Sequence, residues 1–110
     1  MNDTIKKIKQ QLQQNPIILY MKGTPDTVKC GFSAKAAQAL SQYITSFVYI
    51  DVLKYPDIRT ALPIFSKWPT FPQLWIEKKL IGGSDIIIDM YRTGDLKKII
   101  NSIKLKYNLN

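Results

Sequence analysis

Apolar residues at Ile5, Ile8 and Leu12 recur three and four positions apart, the spacing of one helix face. Asn2, Asp3 or Thr4 can cap this helix, and Asn15-Pro16 ends it. Ile17-Ile18-Leu19-Tyr20-Met21 then runs apolar without alternation, which suits a strand covered on both faces. Gly23, Thr24, Pro25 and Asp26 make a loop leading to Cys30. From Ser33 the composition turns to Ala34, Ala36, Ala37, Ala39 and Leu40, strong helix material. Either Ser33 caps that helix or Cys30 occupies its N-cap. Phe47 to Asp51 reads as a second strand. A helix between two strands makes a βαβ unit, so these strands are expected to be parallel.

The second half follows a different rhythm. Asp57 to Ser66 predicts a helix with Ile58, Leu62 and Phe65 on one face, which Pro63 should kink or shorten. Trp68-Pro69-Thr70-Phe71-Pro72 carries two prolines and must be irregular and stiff. Gln73 to Ile76 and Leu80-Ile81 predict two strands joined by the turn Glu77-Lys78-Lys79, with Gly82-Gly83 ending the second. Asp85 caps or opens a helix that points Ile86, Ile87 and Met90 inward and stops at Gly94. Asp95 starts the last helix through Leu96, Ile99, Ile100 and Ile103. The order is α-β-α-β-α-β-β-α-α. No repeat, linker or low-complexity stretch interrupts it, so residues 1–110 are read as one domain.

Composition narrows the chemistry. The longest uninterrupted apolar run is the five residues Ile17 to Met21, too short for a membrane span, and the start reads as no signal peptide. There is no histidine, which removes imidazole bases and histidine metal sites. One cysteine cannot form an internal disulfide. The formal net charge is +8, but lysine outnumbers arginine fourteen to two, and the lysines are scattered. Readers of phosphate and base edges favour the planar arginine fork, so the charge is read first as a solvated surface, with a nucleic-acid binder as the lesser reading.

Cys30 follows a polar loop and precedes a helix. Backbone N–H groups at a helix start favour an anion, and Lys22 and Lys29 add positive charge nearby in sequence. Both effects favour thiolate, and the small Gly31 and Ser33 leave the sulfur reachable. The βαβ unit followed by ββα, with a cysteine at the front of the first crossover helix, is the thioredoxin-like plan: α/β, a four-stranded mixed sheet flanked by helices.

Four blocks, Met21-Lys22-Gly23-Thr24-Pro25, Cys30-Gly31-Phe32-Ser33, Trp68 to Leu74 and Gly82-Gly83-Ser84-Asp85-Ile86, occur in order and spacing that resemble the monothiol glutaredoxins of the Cys-Gly-Phe-Ser type. The resemblance spans nearly the whole chain and implies a single glutaredoxin domain. It implies a [2Fe–2S] cluster held between two subunits by two copies of Cys30 and two glutathione thiolates. Simple counting agrees, since such a cluster typically takes four thiolates and one chain has one.

By the same resemblance, Lys22 and Arg59 would pair with the glycine carboxylate of glutathione. The backbone of Phe71, before a cis Pro72 that turns it toward the ligand, would bond the cysteinyl part. Ser84 would take the γ-glutamyl carboxylate, and Asp85 its ammonium. Thr24 and Phe32 are lesser candidates lining the pocket. The implied partners are a second copy of the chain, a BolA-like protein and apo iron–sulfur clients; the implied role is cluster transfer.

Glutathione-dependent oxidoreduction with Cys30 as nucleophile is the alternative, at most weak for this class. A free thiol and no visible targeting segment suit a cytoplasmic location. Two departures stand out: Val28 where the family commonly carries Pro, which should loosen the loop before Cys30 and its hold on a cluster, and Ser84 where several relatives carry Cys.

Overall fold

A computed structural model describes residues 2–27, 29–45 and 47–110. The elements are α1 (Asn2–Gln14), β1 (Ile17–Met21), α2 (Gly31–Ser41), β2 (Val48–Asp51), α3 (Pro56–Ser66), β3 (Gln73–Ile76), β4 (Lys79–Gly82), α4 (Ser84–Thr93) and α5 (Asp95–Tyr107). The strands form one sheet in the order β2-β1-β3-β4. β1 and β2 are parallel, while β3 runs antiparallel to both β1 and β4, the expected mixed sheet.

The unalternating run of β1 is explained by the helices on either side. Ile17, Leu19 and Met21 face a core shared with α2, α4 and α5, including Ala36, Leu40, Ile87 and Ile100. Ile18 and Tyr20 face the other core, built with Ile8 and Leu12 of α1 and Ile58 and Leu62 of α3. Each fully buried aliphatic side chain contributes roughly 1.5–3 kcal/mol by leaving water, so both layers hold the central strand. Among the described residues, no helix is long and apolar enough to cross a membrane.

Several boundaries differ from expectation. Asp3 and Thr4 lie inside the first turn of α1, not at its cap, and the Thr4 hydroxyl donates to Asp57 at 3.2 Å. Phe47 precedes β2, which begins at Val48. Pro63 does not shorten α3, which runs on to Ser66. A proline there deletes a single intrahelical donor close to the C-terminus, where the ladder is ending. The helix closes beyond it: Lys67 takes the left-handed conformation at φ 55°, and the Trp68 N–H donates to the Pro63 carbonyl at 3.2 Å. Gly83, not Asp85, is the N-cap of α4, and Asp85 lies in its first turn.

Candidate functional site

Register brings the site together. Tyr20 pairs with Gln73, Met21 with Asp51, and Leu74 with Gly82. The end of β1, the start of β3 and the end of β4 therefore lie at one edge of the domain. The segments leaving them are Lys22 onward, the stretch before Gln73, and Gly83-Ser84-Asp85. A cleft of about 700 Å³ opens there, and its walls include Lys22, Cys30, Arg59, Phe71, Ser84 and Asp85. All six residues singled out in the sequence share this one space. Phe32 also lines it, whereas Thr24 does not. Thr24 instead closes its own turn, its hydroxyl accepting the Thr27 N–H at 3.0 Å. Val28 lies outside the described residues.

Cys30 takes the N-cap position of α2 with extended backbone (φ −150°, ψ 129°) and is only partly covered. Ser33 does not cap. It is buried three residues into the helix, and its hydroxyl accepts the Lys22 N–H at 3.1 Å, tying the helix start to the end of β1. Partial burial pushes the Cys30 thiol up. The backbone N–H groups of Ser33 and Phe32, the Ser33 hydroxyl and the Lys22 charge outweigh it and hold the thiol below its ordinary value. The thiolate is thus favoured by the helix start more than by any single cation.

The loop between β1 and Cys30 is closed by backbone bonds. Lys29 N–H donates to the Lys22 carbonyl, and Thr24 and Thr27 exchange N–H···O bonds, all at 3.1 Å. The Asp51 carboxylate accepts the Gly23 and Leu53 N–H groups at 2.9 Å each. Gly23 sits at φ 95°, and a Cβ there would collide with the Thr27 carbonyl oxygen, so the turn requires glycine.

The opposite wall depends on one side chain that the sequence reading did not single out. Gln73 is fully buried. Its Nε2 donates to the Trp68 carbonyl at 2.9 Å, the Ser66 hydroxyl at 3.1 Å and the Thr70 carbonyl at 3.4 Å. Its Oε1 accepts the Trp75 indole N–H at 3.1 Å. The signal was a lone amide opening an otherwise apolar strand, Gln73-Leu74-Trp75-Ile76. Buried polar side chains in such places are commonly there to satisfy neighbouring backbone. The Phe71–Pro72 peptide bond is cis, as expected. Pro72 and Trp68 press on Gly83, where a Cβ would stand 3.3 Å from the Pro72 carbonyl oxygen and 3.4 Å from the Trp68 Nε1. That indole N–H, in the wall of the cleft, is buried and has no acceptor among the described residues. Thr70 and Ile86 line the cleft as well and were also missed.

No group of three or more His, Cys, Asp or Glu side chains is placed to hold a metal ion among the described residues. The site offers one sulfur, two cations, one carboxylate and a helix start.

Residues 17–81 match the glutaredoxin family model. The chain is 58% identical over 101 residues to glutaredoxin 4 of Buchnera aphidicola subsp. Baizongia pistaciae, covering 92% of this chain and 94% of that one. Among solved structures, reduced poplar apo GrxS14 superposes with a TM-score of 0.74 at 33% identity, over 88% of this chain and 89% of the other. The buckwheat glutaredoxin–glutathione complex gives a TM-score of 0.79 at 22% identity, over 92% and 90% respectively, a likeness of fold. The family-model match over more than half of the chain and the identity to the Buchnera relative lead to one conclusion: the chain belongs to the glutaredoxin family.

Proposed function

We propose that this chain is a monothiol glutaredoxin that carries a [2Fe–2S] cluster together with glutathione and hands it to apo-proteins. The observation that carries the reading is Cys30: the sole thiol of the chain, partly exposed, thiolate-favouring, and set in a cleft that also holds cations. One chain supplies one of the four thiolates such a cluster takes. Two chains and two glutathione molecules supply four. A cargo bound half by small molecules is suited to release.

The cleft suits the tripeptide. Lys22 and Arg59 supply positive charge for a carboxylate, and the α4 start at Ser84 suits a second one. Asp85 offers a carboxylate to the ammonium. Phe71 lines the cleft, and its backbone would pair strand-like with the middle of the ligand. The unmet indole donor of Trp68 leaves the wall one polar group short of a partner. The fold is shared with a glutaredoxin that binds glutathione, the buckwheat protein, which supports the same ligand here. A homodimer bridged by the cluster, or a heterodimer with a BolA-like protein, completes the shell, and a reducing cytoplasm keeps Cys30 free.

Anaerobic reconstitution with iron, sulfide and glutathione tests this. The expected product is a coloured dimer whose visible absorption vanishes in Cys30→Ser. A colourless monomer from the wild-type protein would reject the proposal.

The thiolate-favouring surroundings of Cys30 also suit a second activity. The thiolate would attack the glutathionyl sulfur of a mixed disulfide, forming a Cys30–glutathione disulfide and expelling the protein thiolate, which takes a proton from water. Free glutathione would then regenerate Cys30 and leave as glutathione disulfide. With no second cysteine, the step cannot be resolved within the chain. Turnover well below that of dithiol glutaredoxins in a mixed-disulfide reduction assay is expected; equal turnover would make this the principal function.

A further inference from the structure

Two groups of unmet donors in the cleft wall meet at Gly83. The first is the start of α4. Gly83 is its N-cap and has no side chain to cap it, and the first helical bond runs from the Ile87 N–H to the Gly83 carbonyl. The N–H groups of Ser84, Asp85 and Ile86 therefore have no acceptor within the helix. All three residues line the cleft. The second is the Trp68 indole, whose Nε1 lies 3.4 Å from the point where a Cβ on Gly83 would stand. That N–H is buried and has no acceptor among the described residues. The Pro72 carbonyl oxygen also borders Gly83 but makes no bond to it.

The other tryptophan is placed differently. Trp75 is 7% exposed, and its indole N–H donates to Gln73 Oε1 at 3.1 Å. Trp68 is only partly buried, and what is held is its main chain. Its backbone N–H donates to the Pro63 carbonyl and the Ser66 hydroxyl, both at 3.2 Å, and its carbonyl accepts from Gln73 Nε2 at 2.9 Å. An unbonded side chain on a pinned backbone can turn about its own torsions without undoing the wall. A stranded buried donor also carries a desolvation cost, which an acceptor that reaches it removes.

We infer that Trp68 is a positioning residue for the ligand: its indole N–H donates to the carboxylate seated on the α4 start, as a fourth donor beside the N–H groups of Ser84, Asp85 and Ile86. Because Nε1 is closed off from solvent, the ring tilts toward the cleft to reach that carboxylate, so tilting and binding go together. The chemistry selects an α-amino-acid head group, whose carboxylate meets these donors while its ammonium meets Asp85. The inference rests on the reading of the cleft as a glutathione site, and the γ-glutamyl end of glutathione is such a head group. Hydrogen bonds to an ionised acceptor are the stronger kind, so Trp68 sharpens the choice against thiols that lack this end.

The indole N–H resonances of the isotope-labelled chain test this. The two tryptophans give two signals, and Trp68→Phe assigns them by deleting one. S-methylglutathione, whose sulfur cannot react with Cys30, should move the Trp68 indole proton downfield and leave that of Trp75 in place. S-methylcysteinylglycine, which lacks the γ-glutamyl group, should move neither. Trp68→Phe should shrink the preference for S-methylglutathione over S-methylcysteinylglycine about tenfold, the loss of one hydrogen bond to a charged group.

If S-methylglutathione shifts the backbone amides of Lys22 and Ser84 while the Trp68 indole stays still, the inference is overturned and the glutathione reading stands. A Trp68 shift reproduced by S-methylcysteinylglycine, or equal weakening of both ligands in Trp68→Phe, leaves the indole a purely structural part of the wall and overturns it too. If S-methylglutathione moves no resonance at all, the glutathione reading fails and this inference falls with it. The wild-type titration decides the matter even where Trp68→Phe does not fold.

Discussion

The two segments that wall the cleft are held in different ways. The segment carrying Lys22, Thr24, Thr27 and Lys29 is closed by main-chain bonds spread over those residues, with a glycine at the tightest point and Asp51 beneath. Residues 66–72 have few such bonds and hang on the side chain of Gln73. Distributed bonds fail one at a time. A single buried amide fails all at once, leaving two carbonyls, a hydroxyl and an indole N–H without it. The first wall should therefore tolerate substitution better than the second, although it carries the reactive sulfur.

The largest expected effect follows from that difference. Gln73→Leu keeps the volume but removes every one of these bonds, and a stranded buried polar group costs about 1–3 kcal/mol. Urea unfolding should show a loss of roughly 3 kcal/mol or more. Calorimetry on whatever remains folded should show weakened glutathione uptake while Cys30 stays as reactive as before. A loss below about 1 kcal/mol would mean that the second wall is held elsewhere.

Gly23→Ala attacks the first wall at its tightest point. The positive φ and the close Thr27 carbonyl predict a loss of about 1–3 kcal/mol, read by the same unfolding experiment. Here the alkylation rate of Cys30 should change as well, since Lys22 and Lys29 flank the turn. If that rate is unmoved, the loop does not tune the thiol.

Ser33→Ala should cost less, on the order of 1 kcal/mol, but its signature is in pH. Cys30 is held below the ordinary thiol value, so its thiolate contributes stability above the unfolded-state value, and that contribution is lost as pH falls through the lower folded value. The midpoint of the alkylation rate against pH should lie below the usual ~8.5 of a free thiol. Ser33→Ala should move it upward, because one hydrogen bond to the sulfur is removed. An unchanged midpoint would leave the thiol to the backbone N–H groups and the Lys22 charge.

What the sequence made legible tracks the range of the interactions involved. Helix faces, the both-sides-buried β1 and the cysteine before α2 are local patterns, and they were read within a residue or two of where they lie. The convergence of Lys22, Arg59, Phe71, Ser84 and Asp85 on Cys30 depends on strand register; the resemblance anticipated it where periodicity could not. Gln73 escaped notice because its partners, Ser66, Trp68, Thr70 and Trp75, are bonded only once the irregular segment has folded back over the strand. Pro63 misled for the opposite reason: the local rule against proline was sound, but the helix had only three residues left to run. Thr24 resembled a lining residue by position in its motif, yet its hydroxyl is spent within its own turn.

The measurement that bears most directly on the central proposal is native mass spectrometry of the protein reconstituted without oxygen in the presence of glutathione. The account predicts an assembly of two chains, one [2Fe–2S] cluster and two glutathione molecules, absent in Cys30→Ser. A cluster-bearing species with no glutathione, or iron retained by a single chain, would contradict it.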